Sequence, residues 1–170
     1  MVAVTERHKD LVAELLSLVN ARERETCRSI VAVLLELGYL PRRDKVRGHV
    51  LSFRSPTTGQ TIAKIGTLPG TDRATSYAIK FYACKAPPPK FVSAVTVAVE
   101  ESSRQHPCVG CGVCGAAADV RGYRCPLPTG EEFVRCGAYV VKIPDLRRED
   151  VADFGGLLRE QHEYFLSRIR

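Results

Sequence analysis

Hydrophobic residues in the first forty positions recur with the period of an α-helix. After Thr5, a suitable N-cap, the first stretch places apolar side chains three and four residues apart, at Leu11, Val12, Leu15, Leu16 and Val19. A second stretch with the same period begins at Cys27, and Gly38 ends it as a C-cap. Because the connection between the two stretches is short, residues 1–40 predict an antiparallel pair of helices.

From Gly48 the apolar positions change from helical spacing to alternation. Residues 49–54, 61–66 and 76–84 are predicted as three strands, joined by the turn SPTTGQ and by a longer loop. One face of these strands is almost entirely apolar, with Leu51, Phe53, Ala63, Ile65, Tyr77, Ile79, Phe81 and Ala83. The other face mixes apolar residues with one cation in each strand. This alternation predicts an antiparallel sheet with one face on helices and the other in water.

The rest of the chain predicts a helix, a strand and a final helix around a cysteine-rich segment. Prolines within 86–89 end the third strand, because proline has no N–H to donate to a ladder. Residues 90–103 have helical periodicity, residues 131–143 alternate as one strand, and the chain beyond them carries a helical apolar stripe. Gly155 and Gly156 lie inside that last helix, which predicts either a close approach of another element or a bend.

These elements predict an α+β fold in one domain over residues 1–170. The N-terminal helix pair and the later helices would pack on one face of an antiparallel sheet of about four strands. A cysteine-rich, metal-binding insertion would precede the last strand. The parts are the N-terminal helices at 1–40, the sheet and helix at 45–104, the cysteine-rich loop at 105–130, and the strand and C-terminal helix at 131–170.

Length and composition agree with one folded domain. Of the 170 residues, 45% are hydrophobic and 26% are charged, which argues against disorder and provides enough apolar residues for a core. No apolar run approaches the ~18 residues of a membrane span. The first helix carries charged residues among its apolar positions, unlike the apolar stretch of a secretory signal. We therefore expect a cytoplasmic protein that does not enter a membrane.

Five of the seven cysteines lie close together, at Cys108, Cys111, Cys114, Cys125 and Cys136. The first three form two overlapping C-x-x-C turns, each followed by glycine. Such a turn offers two thiolates on one tight loop, which is the ligand arrangement of structural zinc sites. The cytosol keeps thiols reduced, so disulfides are not expected. We predict one zinc ion bound by four of these five cysteines, with His106 as a substitute ligand.

Other chemistries use similar spacings. The three-cysteine start and the later Cys-Pro resemble the iron–sulfur motif C-x2-C-x2-C-x3-C-P, although ten residues replace its last three. The C-x-x-C spacing also lowers thiol pKa values, as in a redox sensor. A cysteine-rich loop without metal is the remaining alternative. Residues 104–130 are too short and too rich in Gly and Pro to bury a core, so metal binding would supply the folding free energy of this loop.

The other two cysteines stand apart from this group. Cys27 begins an apolar helical face, which predicts a buried, small hydrophobic side chain. Cys84 ends the third predicted strand on its polar face, beside Lys80 and Lys85. A nearby cation favours a thiolate, so Cys84 is the secondary candidate for a reactive thiol.

Positive charge is concentrated in the middle of the chain. The net charge of the whole chain is +6, whereas residues 42–90 carry ten cations against two acids, a net charge of +8. Residues 101–170 carry equal numbers of each sign. A local excess of positive charge attracts anions, although an ordinary solvated basic surface has the same composition.

The strand alternation places Arg54, Lys64, Lys80 and Tyr82 on the polar face of the sheet. The loop that leads to the sheet is predicted to carry four more cations, Arg42, Arg43, Lys45 and Arg47. Cations with an aromatic ring on a sheet can follow a phosphate backbone and stack a base. We predict that this face, together with Arg47, binds an anionic partner, with nucleic acid as the first candidate. If the C-terminal helix covered this face instead, the cations would pair with acids.

The sequence gives little support for an enzyme. It contains no nucleophile elbow, phosphate-binding loop or zinc-protease motif. Its histidines are scattered over different predicted elements, at His8, His49, His106 and His162. An activity is therefore not favoured over a binding or redox-sensing role.

Four segments resemble, in the same order, a pattern that recurs in uncharacterised bacterial proteins. They are AIKFYACK, C-x-x-C-x-x-C, EEFVRCGAYVVKIPDL and LLREQHEYFL, and the resemblance covers much of residues 45–168. The order of helix, three-strand meander and helix also resembles small α+β domains of the YjbR/TfoX type. The resemblance implies a fold, and it assigns no function to any residue.

Overall fold

The structure of the protein is a computed structural model that describes residues 3–67, 74–80, 88–102, 122–126, 130, 132–137 and 139–167. Its helices are α1 (Glu6–Leu18), α2 (Arg24–Glu36), α3 (Pro89–Ser102) and α4 (Val151–Leu166), with a 3-10 turn at Arg148–Asp150. Its strands are β1 (Leu40–Arg43), β2 (His49–Arg54), β3 (Thr61–Thr67), β4 (Thr75–Lys80), β5 (Gly122–Pro126), β6 (Glu132–Cys136) and β7 (Val140–Ile143). Within these ranges, none of the helices combines the length and the apolar character needed to span a lipid bilayer.

Five strands form one antiparallel sheet in the order β1-β2-β3-β4-β7. The register aligns the apolar positions of neighbouring strands, so that Leu51 pairs with Ile65 and Ile65 pairs with Tyr77. The side chains of this core face are at most 2% exposed, at Leu51, Phe53, Ala63, Ile65, Tyr77, Ile79, Val141 and Ile143. The α+β class and the apolar face that the alternation predicted are therefore confirmed.

The helices bury their apolar sides in the same core as this face. Phe154 of α4 packs its ring edge-on to Tyr77, with the ring centroids 6.4 Å apart, and it also contacts Phe91 of α3. Leu15 of α1 and Leu34 of α2 are fully buried in this cluster. Since Tyr77 belongs to the core face, the C-terminal helix lies on that side of the sheet. The alternative in which this helix covers the polar face is excluded.

The ends of the first two helices follow from their capping residues. Thr5 precedes α1 and donates its backbone N–H to His8 Nδ1 at 3.1 Å. Gly38 follows α2 with φ +80°, a conformation that costs glycine little. The N–H of Tyr39 then donates to the Leu34 carbonyl oxygen at 2.9 Å, which closes the helix in a Schellman-type turn. The predicted start of the first helix after Thr5 and the predicted end of the second helix at Gly38 are therefore confirmed.

Four strands differ from the predictions. The chain forms β1 where we expected a loop. The four-residue strand contains Pro41, and proline argues against a strand except at the edge of a sheet, where β1 lies. The predicted strand at 131–143 is two strands, β6 and β7, which belong to different sheets. The N–H of Tyr139 donates to the Cys136 carbonyl oxygen at 3.4 Å in the turn between them. β6 pairs instead with β5, which lies in the segment predicted as a cysteine-rich loop.

The two glycines of α4 have different surroundings. A Cβ atom on Gly155 would lie 3.3 Å from the flexible Arg159 NH1 of the same helix, and 3.8 Å and 3.9 Å from the two methyl groups of Val33 in α2. The Val33 distances are ordinary van der Waals contacts, so α2 leaves room for a side chain at this buried position. A Cβ atom on Gly156 would have no heavy atom within 4 Å. Among the described residues, no backbone of another element lies close enough to either glycine to exclude a Cβ atom, so close packing does not account for them.

We expect Gly156→Ala to stabilise the protein by about 0.5–1 kcal/mol, because alanine restricts the unfolded chain and favours the helix at an open position. The free energy of unfolding from urea denaturation measures this change.

Gly66→Ala provides the opposite case on β3. A Cβ atom there would lie 2.3 Å from the His49 carbonyl oxygen and 2.6 Å from Val50 Cα. Backbone atoms of a paired strand cannot move aside cheaply, so we expect a loss of about 2 kcal/mol or more. A loss of stability in Gly156→Ala comparable to that in Gly66→Ala would contradict the packing described for α4.

Candidate functional site

The register of the sheet aligns three cations across its second face. Arg42 pairs with Ser52, Ser52 with Lys64, Lys64 with Ala78, and Ala78 with Lys142. Directly paired residues share a face, so Arg42, Lys64 and Lys142 lie in one line across the strands. We call these three residues the cation row. Because neighbouring strands are ~4.8 Å apart, the row crosses about 19 Å from the first strand to the last.

Two further cations lie on the same face, beside the row. Arg54 ends β2, two residues after Ser52, and Lys80 ends β4, two residues after Ala78. Ser52 and Ala78 are the residues of β2 and β4 that pair within the cation row. Burial lowers the pKa of Lys80, and the charges of Lys64 and Arg54 lower it further, whereas Cys136 opposes this shift. These effects require that the charges lie close together. We call Arg54, Lys64 and Lys80 the basic cluster.

Apolar residues on this face are more buried than the alternation predicted. Val50 is 8% exposed, Ala78 is 5% exposed and Ile62 is fully buried. Ile62 lies at a bulge, since Phe53 pairs with Ala63 but Arg54 pairs with Thr61. The expectation that the whole face meets water is therefore wrong. The exposed part consists mainly of the cations and their hydrophilic neighbours.

One acid lies against the cation row. Lys64 Nζ is 2.6 Å from Asp44 Oδ2, and Asp44 directly follows β1. Its backbone N–H donates to the Val50 carbonyl oxygen at 2.9 Å, which holds the residue beside the sheet. The carboxylate is only partly exposed, so it is well placed to neutralise part of the charge of Lys64. The sequence reasoning did not identify Asp44 as part of this site.

Arg43 belongs to the opposite face, although it adjoins Arg42 in the chain. Its NH1 atom is 3.3 Å from Glu14 Oε1 of α1 and 3.0 Å from His49 Nε2. His49 is almost fully buried, and its Nδ1 atom is 3.1 Å from the same carboxylate oxygen. The Arg43 guanidinium donates to His49 Nε2, which assigns the proton of the neutral ring to Nδ1; this atom lies near Glu14 but makes no hydrogen bond within the described residues. Arg43 therefore ties α1 to the sheet and is not available to the cation row.

The structure brings together three of the five residues predicted for anion binding, namely Arg54, Lys64 and Lys80. Arg47 is exposed in the loop between β1 and β2, and Tyr82 lies outside the described residues. The prediction placed Arg42 in a loop and not on a strand of the sheet, and it did not include Lys142. Lys142 had a usable signal, because it stands between Val141 and Ile143, which are both core residues. Arg42 had no such signal in the sequence, because Pro41 before it argues against a strand.

The described cysteines fall into different environments. Cys27 is fully buried, as predicted, and burial raises its pKa to about 11. Cys136 is half-buried at the end of β6 and pairs with Gly122, whereas Cys125 pairs with Phe133. The two positions are therefore an odd number of residues apart in the register of the β5–β6 ladder. Four other cysteine positions, Cys84, Cys108, Cys111 and Cys114, lie outside the described residues, as does His106.

Within the described ranges, no group of three or more His, Cys, Asp and Glu residues is arranged to hold a metal ion. The C-x-x-C-x-x-C run of the predicted zinc site lies outside those ranges, so zinc stays a prediction. Comparison of the chain with protein-family models, with curated proteins and with solved structures finds no match. The resemblance to bacterial proteins also stays a prediction.

The raised pKa of Cys27 predicts a pH-dependent contribution to stability. The unfolded thiol ionises from about pH 9, but the buried thiol resists ionisation until about pH 11. The contribution is therefore complete below pH 9 and is lost as the pH rises through this window. Cys27→Ala removes it. We expect the free energy of unfolding of wild type, relative to this variant, to fall by about 2 kcal/mol from pH 8 to pH 11. A constant difference would contradict a buried, neutral thiol.

Proposed function

We propose that the protein binds nucleic acid across the second face of its sheet, as a cytoplasmic domain whose cysteine-rich segment is stabilised by zinc. The observation that supports this most is the cation row, which aligns Arg42, Lys64 and Lys142 over all five strands. The other two members of the basic cluster, Arg54 and Lys80, lie beside this line. A charge pattern of this extent suits a polyanion better than one small anion.

The crowding of the cations supports an anionic ligand at this face. Lys80 is partly buried beside two other cations, and its lowered pKa reflects the cost of holding a charge there. A bound phosphate would offset both the burial and the repulsion. Shifted pKa values of this kind are frequent at ligand-binding sites, although structural networks of charges also produce them. Asp44 supplies part of the counter-charge when no ligand is bound.

The shape of the face favours a single strand over a duplex. The major groove of DNA admits a helix or a two-stranded ribbon, but a five-stranded sheet is too broad to enter it. Single strands instead lie across open sheets, where cations contact phosphates and aromatic rings stack bases. Tyr82 was predicted for the stacking role and remains the candidate for it.

The zinc proposal has support from thiol spacing. The three C-x-x-C cysteines together with Cys125 or Cys136 would supply the four ligands of a tetrahedral zinc site. An iron–sulfur cluster or a redox-active thiol pair is the alternative.

Asp44→Asn should strengthen the binding of a single-stranded oligonucleotide. The change removes the carboxylate that pairs with Lys64, so the freed ammonium can contact a phosphate. We expect severalfold tighter binding and a salt dependence that is steeper by about 0.7 log units per log unit of salt, the value for one more phosphate contact. Fluorescence anisotropy at several salt concentrations measures both quantities.

Glu14→Gln is the matched control, because it changes the net charge equally but removes a carboxylate on the core side of the sheet. Its salt dependence should stay that of wild type. Arg42→Ala combined with Lys142→Ala removes both ends of the cation row, and binding should weaken with a shallower salt dependence. Unchanged binding by that double variant, or no binding by wild type near 50 mM salt, would exclude this face as a nucleic-acid site.

Purified protein should contain one zinc ion per chain by elemental analysis. Cys111→Ser should release it, because this residue belongs to both C-x-x-C turns. Cys27→Ala is the control and should retain the metal, since Cys27 is buried in the helical core. Brown protein with visible absorption would replace zinc by an iron–sulfur cluster. If removal of the metal with a chelator leaves hydrogen exchange in residues 108–136 unchanged, the loop does not need a metal to fold.

A further inference from the structure

A cleft of about 490 Å³ lies between α3 and β7, at one end of the cation row. Lys90, Ser93, Ala94 and Val97 line it from the helix, and Lys142, Pro144 and Asp145 line it from the strand side. Its volume is within the range of small-molecule sites, which are mostly apolar with a few polar groups. Its lining combines three apolar residues, Ala94, Val97 and Pro144, with Ser93 and three charged residues, Lys90, Lys142 and Asp145.

A network of polar contacts closes one end of the cleft and holds its walls together. Lys90 of α3 forms an ion pair with Asp150, and its Nζ atom donates to the Asp145 carbonyl oxygen at 2.8 Å. Asp145 has φ +48°, which is unusual for a residue with a side chain. The backbone N–H of Arg147 donates to the same Asp150 carboxylate at 2.8 Å. Lys90 is therefore committed to the wall, and the distance between α3 and the chain after β7 is fixed.

Lys142 also lines the cleft, but it has no ion pair comparable to that of Lys90 among the residues that the structure describes. Its side chain is exposed, and it makes no ion pair with any residue in the described part of the chain. It is also the last member of the cation row. A polyanion that follows the row would therefore bring a phosphate to the mouth of the cleft.

The apolar wall has an exposed side chain that the core does not use. Val97 is 49% exposed, although it is a large hydrophobic residue in the middle of α3. Together with Ala94 and Pro144 it offers an apolar surface beside the ammonium of Lys142. A nucleotide has this combination, an anionic phosphate next to a flat, weakly polar base. Ser93 adds a hydroxyl group that can donate to phosphate or accept from a base.

We infer that this cleft is a nucleotide subsite at the end of the cation row, with Lys142 on the phosphate and Val97 against the base. The inference rests on the proposed function, and it deepens that function by assigning an unpaired nucleotide to a defined site. A duplex keeps its bases stacked and paired, so it would not place a base in the cleft. The subsite would therefore add selectivity for single strands, or for strand ends.

Val97→Glu tests the subsite, with Val92→Glu as the matched control. Both valines are exposed on α3, but only Val97 lines the cleft. The probes are adenosine monophosphate, inorganic phosphate and a single-stranded oligodeoxythymidine, with affinities from titration calorimetry. We expect Val97→Glu to weaken the binding of the nucleotide and of the oligonucleotide about tenfold or more, because it replaces the apolar contact with the base by a carboxylate and adds negative charge to a site for an anion. Val92→Glu should bind within about twofold of wild type.

The outcomes separate the subsite from the proposed function. If the oligonucleotide binds wild type and Val97→Glu equally, the subsite is overturned and the sheet face stands. If adenosine monophosphate binds wild type more tightly than Val97→Glu but the oligonucleotide does not bind wild type, the subsite stands and the nucleic-acid function fails. Equal affinity for inorganic phosphate and for the nucleotide would show that no base enters the cleft, which overturns the inference. Ser93→Ala, at an exposed position, gives the same comparison with a smaller expected loss if Val97→Glu does not fold.

Discussion

Burial of one face of the five-stranded sheet is the constraint on which the rest of the structure depends. Leu51, Ile65, Tyr77 and Ile143 form one buried line across four strands, and the helices complete the core around them. Side chains alternate along a strand, so this burial also determines which residues face the other way. A slip of one residue in any strand would place cations in the core and is strongly disfavoured. The cation row is thus held in register by the apolar residues beside it in sequence.

Polar contacts on the core side refine the positions of the edge elements. Glu14, His49 and Arg43 connect α1 to β1 and β2 at a place where apolar packing gives way to the surface. His49 is buried, whereas the Arg43 and Glu14 side chains are 44% and 55% exposed, so each of these contacts contributes at most about 1 kcal/mol. The contacts link α1 to the edge strand β1 through Arg43 and to β2 through His49, on the side of the sheet opposite the cation row.

The sequence was sufficient to predict the parts of the fold that rest on local periodicity and capping. The helix pair, the core face of β2 to β4, and the buried Cys27 all follow from apolar spacing. β1 could not be predicted in this way, because a four-residue strand with a proline has almost no periodic signal. The division of residues 131–143 depends on which partner each half finds, which is a tertiary property. For the same reason the register, and not the sequence, shows that Arg42 and Lys142 align with Lys64.

The two ends of the cation row are also the two edge strands of the sheet. An edge strand presents unpaired N–H and C=O groups that can recruit another chain, and proteins often protect it with proline and charged residues. β1 carries Pro41, Arg42 and Arg43, and β7 carries Lys142. The cations we assign to ligand binding therefore stand where they also discourage edge-to-edge aggregation. Replacing them with apolar residues would remove a safeguard against misassembly together with a binding surface, so the two roles constrain the same positions.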